Sequence, residues 1–211
     1  MATRLLLAEL AADFQAQAGI QVQIESVGGV DAAKRVSNGA QNGEAFDLVF
    51  LASDAIDKLI ASGHVDANSK VDLVDSGVAV AVKMVANVPD ISSEAAVKAA
   101  VLAAKTISYS TGPSGVALAK LFERWGIADQ IASRIVQAPP GVPVGSLVAR
   151  GEVELGFQQL SELIHLDGIS IVGPLPPAIQ ITTTFSAGVC STSPNKAPAK
   201  AVLAFMASPA A

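Results

Sequence analysis

The sequence predicts an α/β fold of two similar lobes, each a sheet flanked by helices. Three observations carry this. Short apolar strand runs alternate with amphipathic helix patterns along the whole chain. Phe46–Ala52 is an almost unbroken apolar run, as a strand buried on both faces requires. The order strand, glycine-containing loop, helix occurs once in each half. Strands separated by helices imply βαβ units, so the sheets are expected to be mostly parallel.

The elements follow in order. A helix over residues 3–18 places Leu6, Leu7, Leu10 and Phe14 on one face and stops at Gly19. Ile20–Ile24 alternates apolar and polar residues, the pattern of a half-buried strand. A glycine loop over residues 25–31 leads into a helix through Ala32–Val36. After the Phe46–Ala52 strand, Ser53 is placed to cap a helix over Asp54–Ala61, which ends at Gly63. Val78–Val85 reads as the next strand, and Ser92 as the cap of an Ala-rich helix over residues 94–104. The second half runs strand Thr106–Ser110, loop Thr111–Gly115, and helix Val116–Trp125 closed by Gly126. A short strand Ile135–Gln137, loop Ala138–Pro143, helix Val144–Arg150 and strand Glu152–Gln158 follow. A helical turn Ser161–His165, strands Ile169–Val172 and Ile179–Val189, and a helix Ala197–Ala207 complete the chain.

Composition narrows the function classes. Of 211 residues, 51% are hydrophobic and 16% charged, the opposite of a disordered chain. Aromatics are 4%, and 14 Lys+Arg face 19 Asp+Glu for a net charge of -5. That offers neither the stacking platforms nor the basic patch of a nucleic-acid binder. One cysteine excludes an internal disulfide, and with two histidines it makes a metal site or cofactor unexpected. The greasiest stretch, Gly77–Val85, carries Lys83 and is far short of the ~20 apolar residues of a membrane span. Arg4 and Leu5–Leu7 imitate a leader, but Glu9 and Asp13 interrupt it, which taken alone points to the cytoplasm.

Ligands of such sheets sit beyond the carboxyl ends of strands, where helix N-termini offer free N–H groups to anions. Two loops fit, Val27–Val30 and Ser110–Gly115. Their glycines either admit a ligand to the backbone or only shape tight turns, and Ser114 either donates to a ligand or caps its helix. Gln158 and Gln159 end a strand with neutral donors and acceptors, a poor choice for a core. Lys34 and Arg35 either reach an anion or form a solvated helix face. Cys190 reads as a buried structural thiol, His64 as a surface turn residue and His165 as a structural residue near an apolar turn. No dinucleotide fingerprint, Walker loop or nucleophile elbow is present.

Several segments together resemble the type II periplasmic solute-binding proteins, in particular those similar to the molybdate-binding proteins of ABC transporters. They are Leu10–Phe14, Gly28–Val36, Phe46–Asp54, Gly112–Val116, Arg150–Gly156 and Thr184–Val189. The resemblance implies two lobes closing on a ligand like a flytrap, with hinge crossings near Ala79–Val82 and Phe185–Val189. It divides the chain into 1–80 and 188–211 for lobe one and 81–187 for lobe two. It implies a small anionic ligand held by neutral groups: Gly28, Gly29, Val30, Thr111, Ser114, Gly115, Gly141, Val142, Gln158 and Gln159. Thr3 is what remains of a further contacting loop before the first helix. It also implies an ABC permease as partner, a monomer, no cofactor and a periplasmic location. Molybdate binders carry serines where this chain has Gly28 and Gly29, and commonly a Tyr where it has Gln159. An amide brings an acceptor as well as a donor, which suits a partly organic ligand.

The stretches Gly156–Glu162 and Val172–Pro177 resemble a sub-branch of this family that includes aconitate isomerase. Two functions therefore stand: a transport receptor for a molybdate-like oxyanion or small carboxylate, and an enzyme interconverting cis- and trans-aconitate. The second needs an acid or base in reach of the substrate, for which Tyr109, Ser114 and His165 are candidates. An effector domain of a transcription regulator shares the fold but would need a DNA-binding module. Against the family, the chain is expected to lack a leader, a first strand and a helical tail after Ser208–Ala211, the mark of a longer precursor.

Overall fold

The computed structural model describes residues 3–139 and 141–209. Pro140 of the expected 138–143 loop and the terminal Ala210 and Ala211 lie outside the described residues. The chain divides into two compact units: residues 76–183, and residues up to 75 together with those from 184. Two strands, β2 (Val71–Lys83) and β6 (Thr182–Val189), run through both divisions.

Unit one has three layers. Its strand β1 (Leu48–Ala52) pairs antiparallel with β6, Leu48 opposite Val189 and Ala52 opposite Phe185. Alternation sorts the side chains of β1. Val49 and Leu51 pack with Ile56 and Leu59 of α3 (Ser53–Ala61) and with half-buried Ala33 and Val36 of α2 (Gly29–Asn42). Leu48 and Phe50 turn the other way, toward α1 (Arg4–Ala18) and the last helix. On α1 the buried face is Leu7, Leu10, Ala11 and Phe14, whereas Leu6 is 40% exposed.

Unit two is built on the second half of β2. It pairs antiparallel with β4 (Leu155–Gln159) and with β5 (Ile169–Pro174), and β4 runs parallel to β3 (Ile107–Tyr109). One face carries α4 (Glu94–Ala103) and α5 (Pro113–Arg124): Val97, Val101, Leu118, Leu121 and Phe122 pack on Val78, Val80, Ile107, Leu155 and Phe157. Each such fully buried side chain is worth roughly 1.5–3 kcal/mol in removed apolar surface. Between α5 and β4 lie the short α6 (Ala128–Ile131) and α7 (Val144–Arg150). The other face holds Val144, Leu147 and Val148 of α7, with Leu163 of the one-turn α8 (Leu160–Leu163), over Ala79 and Ala81. The final helix, α9 (Lys196–Met206), belongs to unit one, where Phe14 meets Phe205 at 5.5 Å between ring centres.

The α/β class stands, with a mixed sheet. Three described ladders are antiparallel and one is parallel, because β2, β5 and β6 enter without the crossover helices that parallel pairing requires. Residues 20–24 keep the expected alternation, Val22 and Ile24 half-buried, yet form no ladder among the described residues. β2 stops at Lys83 because the backbone reverses at Val85, which is 98% exposed and left-handed (φ 63°). The cap of α4 is Ser93, whose Oγ accepts from the Ala96 N–H at 3.2 Å, not Ser92. Ser53 is the first residue of α3 and makes no capping bond. Ile135 forms a single parallel bridge to Ile107 rather than a strand, and Pro177–Ile179 is a 3-10 turn before β6.

Candidate functional site

In unit two the parallel pairing sets three loops on one sheet edge. Tyr109 lies opposite Phe157, so the residues after β3 and after β4 leave side by side. The bridge Ile107–Ile135 brings the 136–143 loop to the same edge. Thr111, Ser114 and Gly115, Gly141 and Val142, and Gln158 and Gln159 are thus gathered there. Thr111 is exposed and Ser114 buried.

The start of α5 is anchored by packing. Gly112 is the N-cap, and its N–H donates to Ser110 Oγ at 3.4 Å. Ser114 is therefore not the cap. Its hydroxyl has no hydrogen-bond partner among the described residues, and the first-turn N–H groups have no helical acceptors. A Cβ at Gly115 would lie 1.7 Å from the Ser110 carbonyl oxygen, so glycine is demanded by the helix riding on that loop.

The two glutamines divide. Gln158 faces α7, and its Oε1 accepts from the Gly145 N–H at 3.1 Å, fixing the helix start behind the 136–143 loop. In that loop the Val142 N–H donates to the Pro139 carbonyl, and Gly141 is left-handed. Gln159 faces the other way, onto the side of α5, paired across the ladder with Val78. Its Nε2 donates to Thr183 Oγ1 at 2.8 Å, while its buried Oε1 has no partner. Ser76 and Ser161 hydroxyls lie 3.3 Å apart nearby in the same ladder region. Ser76 and Thr183 were not among the expected residues; the run Thr182–Thr184 was the available signal.

This edge is rich in hydroxyls and amides. Burial, with the Glu123 charge, pushes the Tyr109 phenol above its ordinary value, and the ring stands edge-on to Phe122 at 6.0 Å. His165 is exposed in the turn toward β5.

In unit one, Gly28 is the N-cap of α2, and Gly29 and Val30 form its first turn rather than a loop. A Cβ would meet only Asp31 Oδ2 at 3.5 Å from Gly28, or Leu51 Cδ2 at 3.7 Å from Gly29. Thr3 lines a small apolar cavity of about 20 Å³ with Leu6, Leu7, Leu10 and Phe50. Arg35 is committed: it holds Glu44 at 2.8 Å and Glu25 at 2.8 Å, and lies over the Phe46 ring at 5.0 Å. Lys34 is exposed. Burial, then the Asp47 charge, pushes the Cys190 thiol up to about 12, as for an inert core thiol. Half-buried His64 accepts at its carbonyl from the Ser191 N–H. Among the described residues no cluster of His, Cys, Asp or Glu could hold a metal ion, and no helix is long and apolar enough to cross a membrane.

Comparison with known proteins places the chain. Residues 1–211 match the family described as bacterial extracellular solute-binding protein. A protein named aconitate isomerase, from a Pseudomonas species, is 38% identical over 202 residues, covering 95% of this chain and 77% of the relative. The periplasmic molybdate-binding protein of Azotobacter vinelandii superposes with a TM-score of 0.77 at 24% identity, covering 99% of this chain and 90% of that one. A tungstate-binding protein from Desulfovibrio alaskensis superposes with a TM-score of 0.67 at 18% identity, covering 97% and 85%. Similarity at these structural identities fixes the fold alone.

Proposed function

The chain belongs to the bacterial extracellular solute-binding proteins, and from that premise we propose that it binds a small organic carboxylate of the size and charge of aconitate. The observation that carries this is the 38% identity to aconitate isomerase over 95% of the chain. The unit-two edge supports it. The free N–H groups of α5 and the Ser114 hydroxyl suit a carboxylate oxygen, and helix N-termini hold anions even in an acidic protein. The open backbone at Gly28 and Gly29 leaves room that serines would fill. In this reading the protein works in the periplasm and hands its solute to an ABC permease.

A second reading is isomerisation itself, favoured by the name of the same relative. Moving the aconitate double bond through a proton shift requires a group that removes a carbon-bound proton and returns one. The residues gathered at the unit-two edge are hydroxyls and amides with one high-pKa phenol, so binding comes first. Incubation with each aconitate isomer and with molybdate tests both. Binding predicts a rise in melting temperature with aconitate, none with molybdate, and no interconversion by chromatography. Turnover installs the isomerase reading, and stabilisation by molybdate alone removes the carboxylate.

A further inference from the structure

Two adjacent glutamines end β4, and they are not equivalent. Gln158 has its acceptor filled by the Gly145 N–H. Gln159 is 4% exposed and gives one of its two amide N–H groups to Thr183, while its buried acceptor oxygen has no hydrogen-bond partner among the described residues. Buried acceptors are nearly always paired, so an empty one points to a donor that arrives from elsewhere. The side-chain alternation of β4 puts Gln159 on the face of Leu155 and Phe157, where α5 packs, and at the edge where α5 begins. There the uncommitted first-turn N–H groups and the Ser114 hydroxyl can supply donors for an anion, while Gln159 Oε1 can only accept.

We propose that Gln159 Oε1 receives an O–H from the solute, so that the protein selects an organic acid bearing such a donor over a fully deprotonated anion of the same shape. This rests on the carboxylate reading above. A bare oxyanion presents acceptors only and would leave Oε1 unpaired. A hydroxy acid satisfies both halves of the edge. Aconitate, which has no hydroxyl, satisfies it through a carboxyl that stays protonated, so its affinity falls as the pH rises.

The test is calorimetric titration of the wild-type protein at pH 8 with citrate and with tricarballylate. The two share a carbon skeleton and three ionised carboxylates and differ by one hydroxyl. Malate and succinate repeat the comparison for a smaller acid. Citrate or malate should bind about tenfold more tightly than its deoxy partner, since the partner leaves the buried acceptor unpaired. In Gln159→Leu the two members of each pair should bind alike. Equal affinity in the wild type, or a preference that survives Gln159→Leu, overturns the inference while the carboxylate reading stands. Absence of binding by every organic acid, aconitate at pH 6 included, overturns that reading and the inference with it. The wild-type comparison needs no variant to fold.

Discussion

The starts of α2 and α5 look alike in sequence, glycines leading into a helix, and differ in what the glycines do. At α5, a methyl on Gly115 would meet the Ser110 carbonyl at 1.7 Å. At α2, a methyl on Gly28 or Gly29 would find ordinary contacts at 3.5 and 3.7 Å, and Gly28 sits at φ -59°, which any residue adopts. One glycine is dictated by packing and the other two are not. A glycine that the packing does not require is the more informative one to substitute, because a side chain there changes the surface at the start of α2 without straining the fold.

Substitutions sharpen this contrast. Gly115→Ala should be the most damaging, costing about 3 kcal/mol or more, since backbone must move to admit the methyl. Urea unfolding followed by circular dichroism reads it, and a loss under 1 kcal/mol would break the contrast. Gln158→Leu strands the buried Gly145 N–H and should cost about 1–3 kcal/mol in the same assay. Gln159→Leu removes an oxygen that is already unpaired and one hydrogen bond to half-buried Thr183, whose hydroxyl water can reach, so it should cost less than Gln158→Leu, about 0.5–1 kcal/mol. If Gln159→Leu proves as costly as Gln158→Leu, the two side chains are equivalent after all. Gly28→Ser should leave stability within about 0.5 kcal/mol and act instead on solute affinity, read by calorimetry.

The smallest expected effect is electrostatic. The Arg35 guanidinium, hydrogen-bonded to Glu44, holds that carboxyl below its ordinary value. Its contribution is present above the usual carboxylate range and is lost as the pH falls through the lowered value. The pair is solvent-exposed enough for salt to weaken it. In Glu44→Gln the drop in melting temperature between pH 7 and pH 3 should be slightly smaller than in the wild type. An unchanged acid profile would show the pair to be inert.

What could be read from the sequence was local. The apolar run that became β1, the helix after Gly112, and the placing of polar Gln158 and Gln159 at a strand end all follow from short-range pattern. Strand direction did not, since β2 and β6 owe theirs to partners more than seventy residues away along the chain. Residues 20–24 carry a strand's alternation because a half-buried extended segment needs it whether or not a ladder forms. Caps slipped by one residue, Ser93 for Ser92, where two adjacent serines offer the same oxygen. The site's polar residues were partly legible. Ser76 and Thr183 were not, because each reaches the edge through a tertiary pairing that no spacing encodes. Nor could spacing tell a glutamine with a filled acceptor from its neighbour with an empty one.

The division of the chain also orders its assembly. Unit two is one continuous segment, residues 76–183, whereas unit one draws on both ends, and β1 waits for β6 to bring Val189 opposite Leu48. As the chain grows from its N-terminus, unit two can close its sheet first, while α1, α2 and β1 remain without their partner strand and without α9. Leu7, Leu10 and Phe14 then stay exposed until residues 184–209 appear, so α1 is made before unit two yet buried after it. Aggregation during synthesis, and recruitment of a holding chaperone, should therefore concentrate on the N-terminal third rather than on the more apolar strands of unit two.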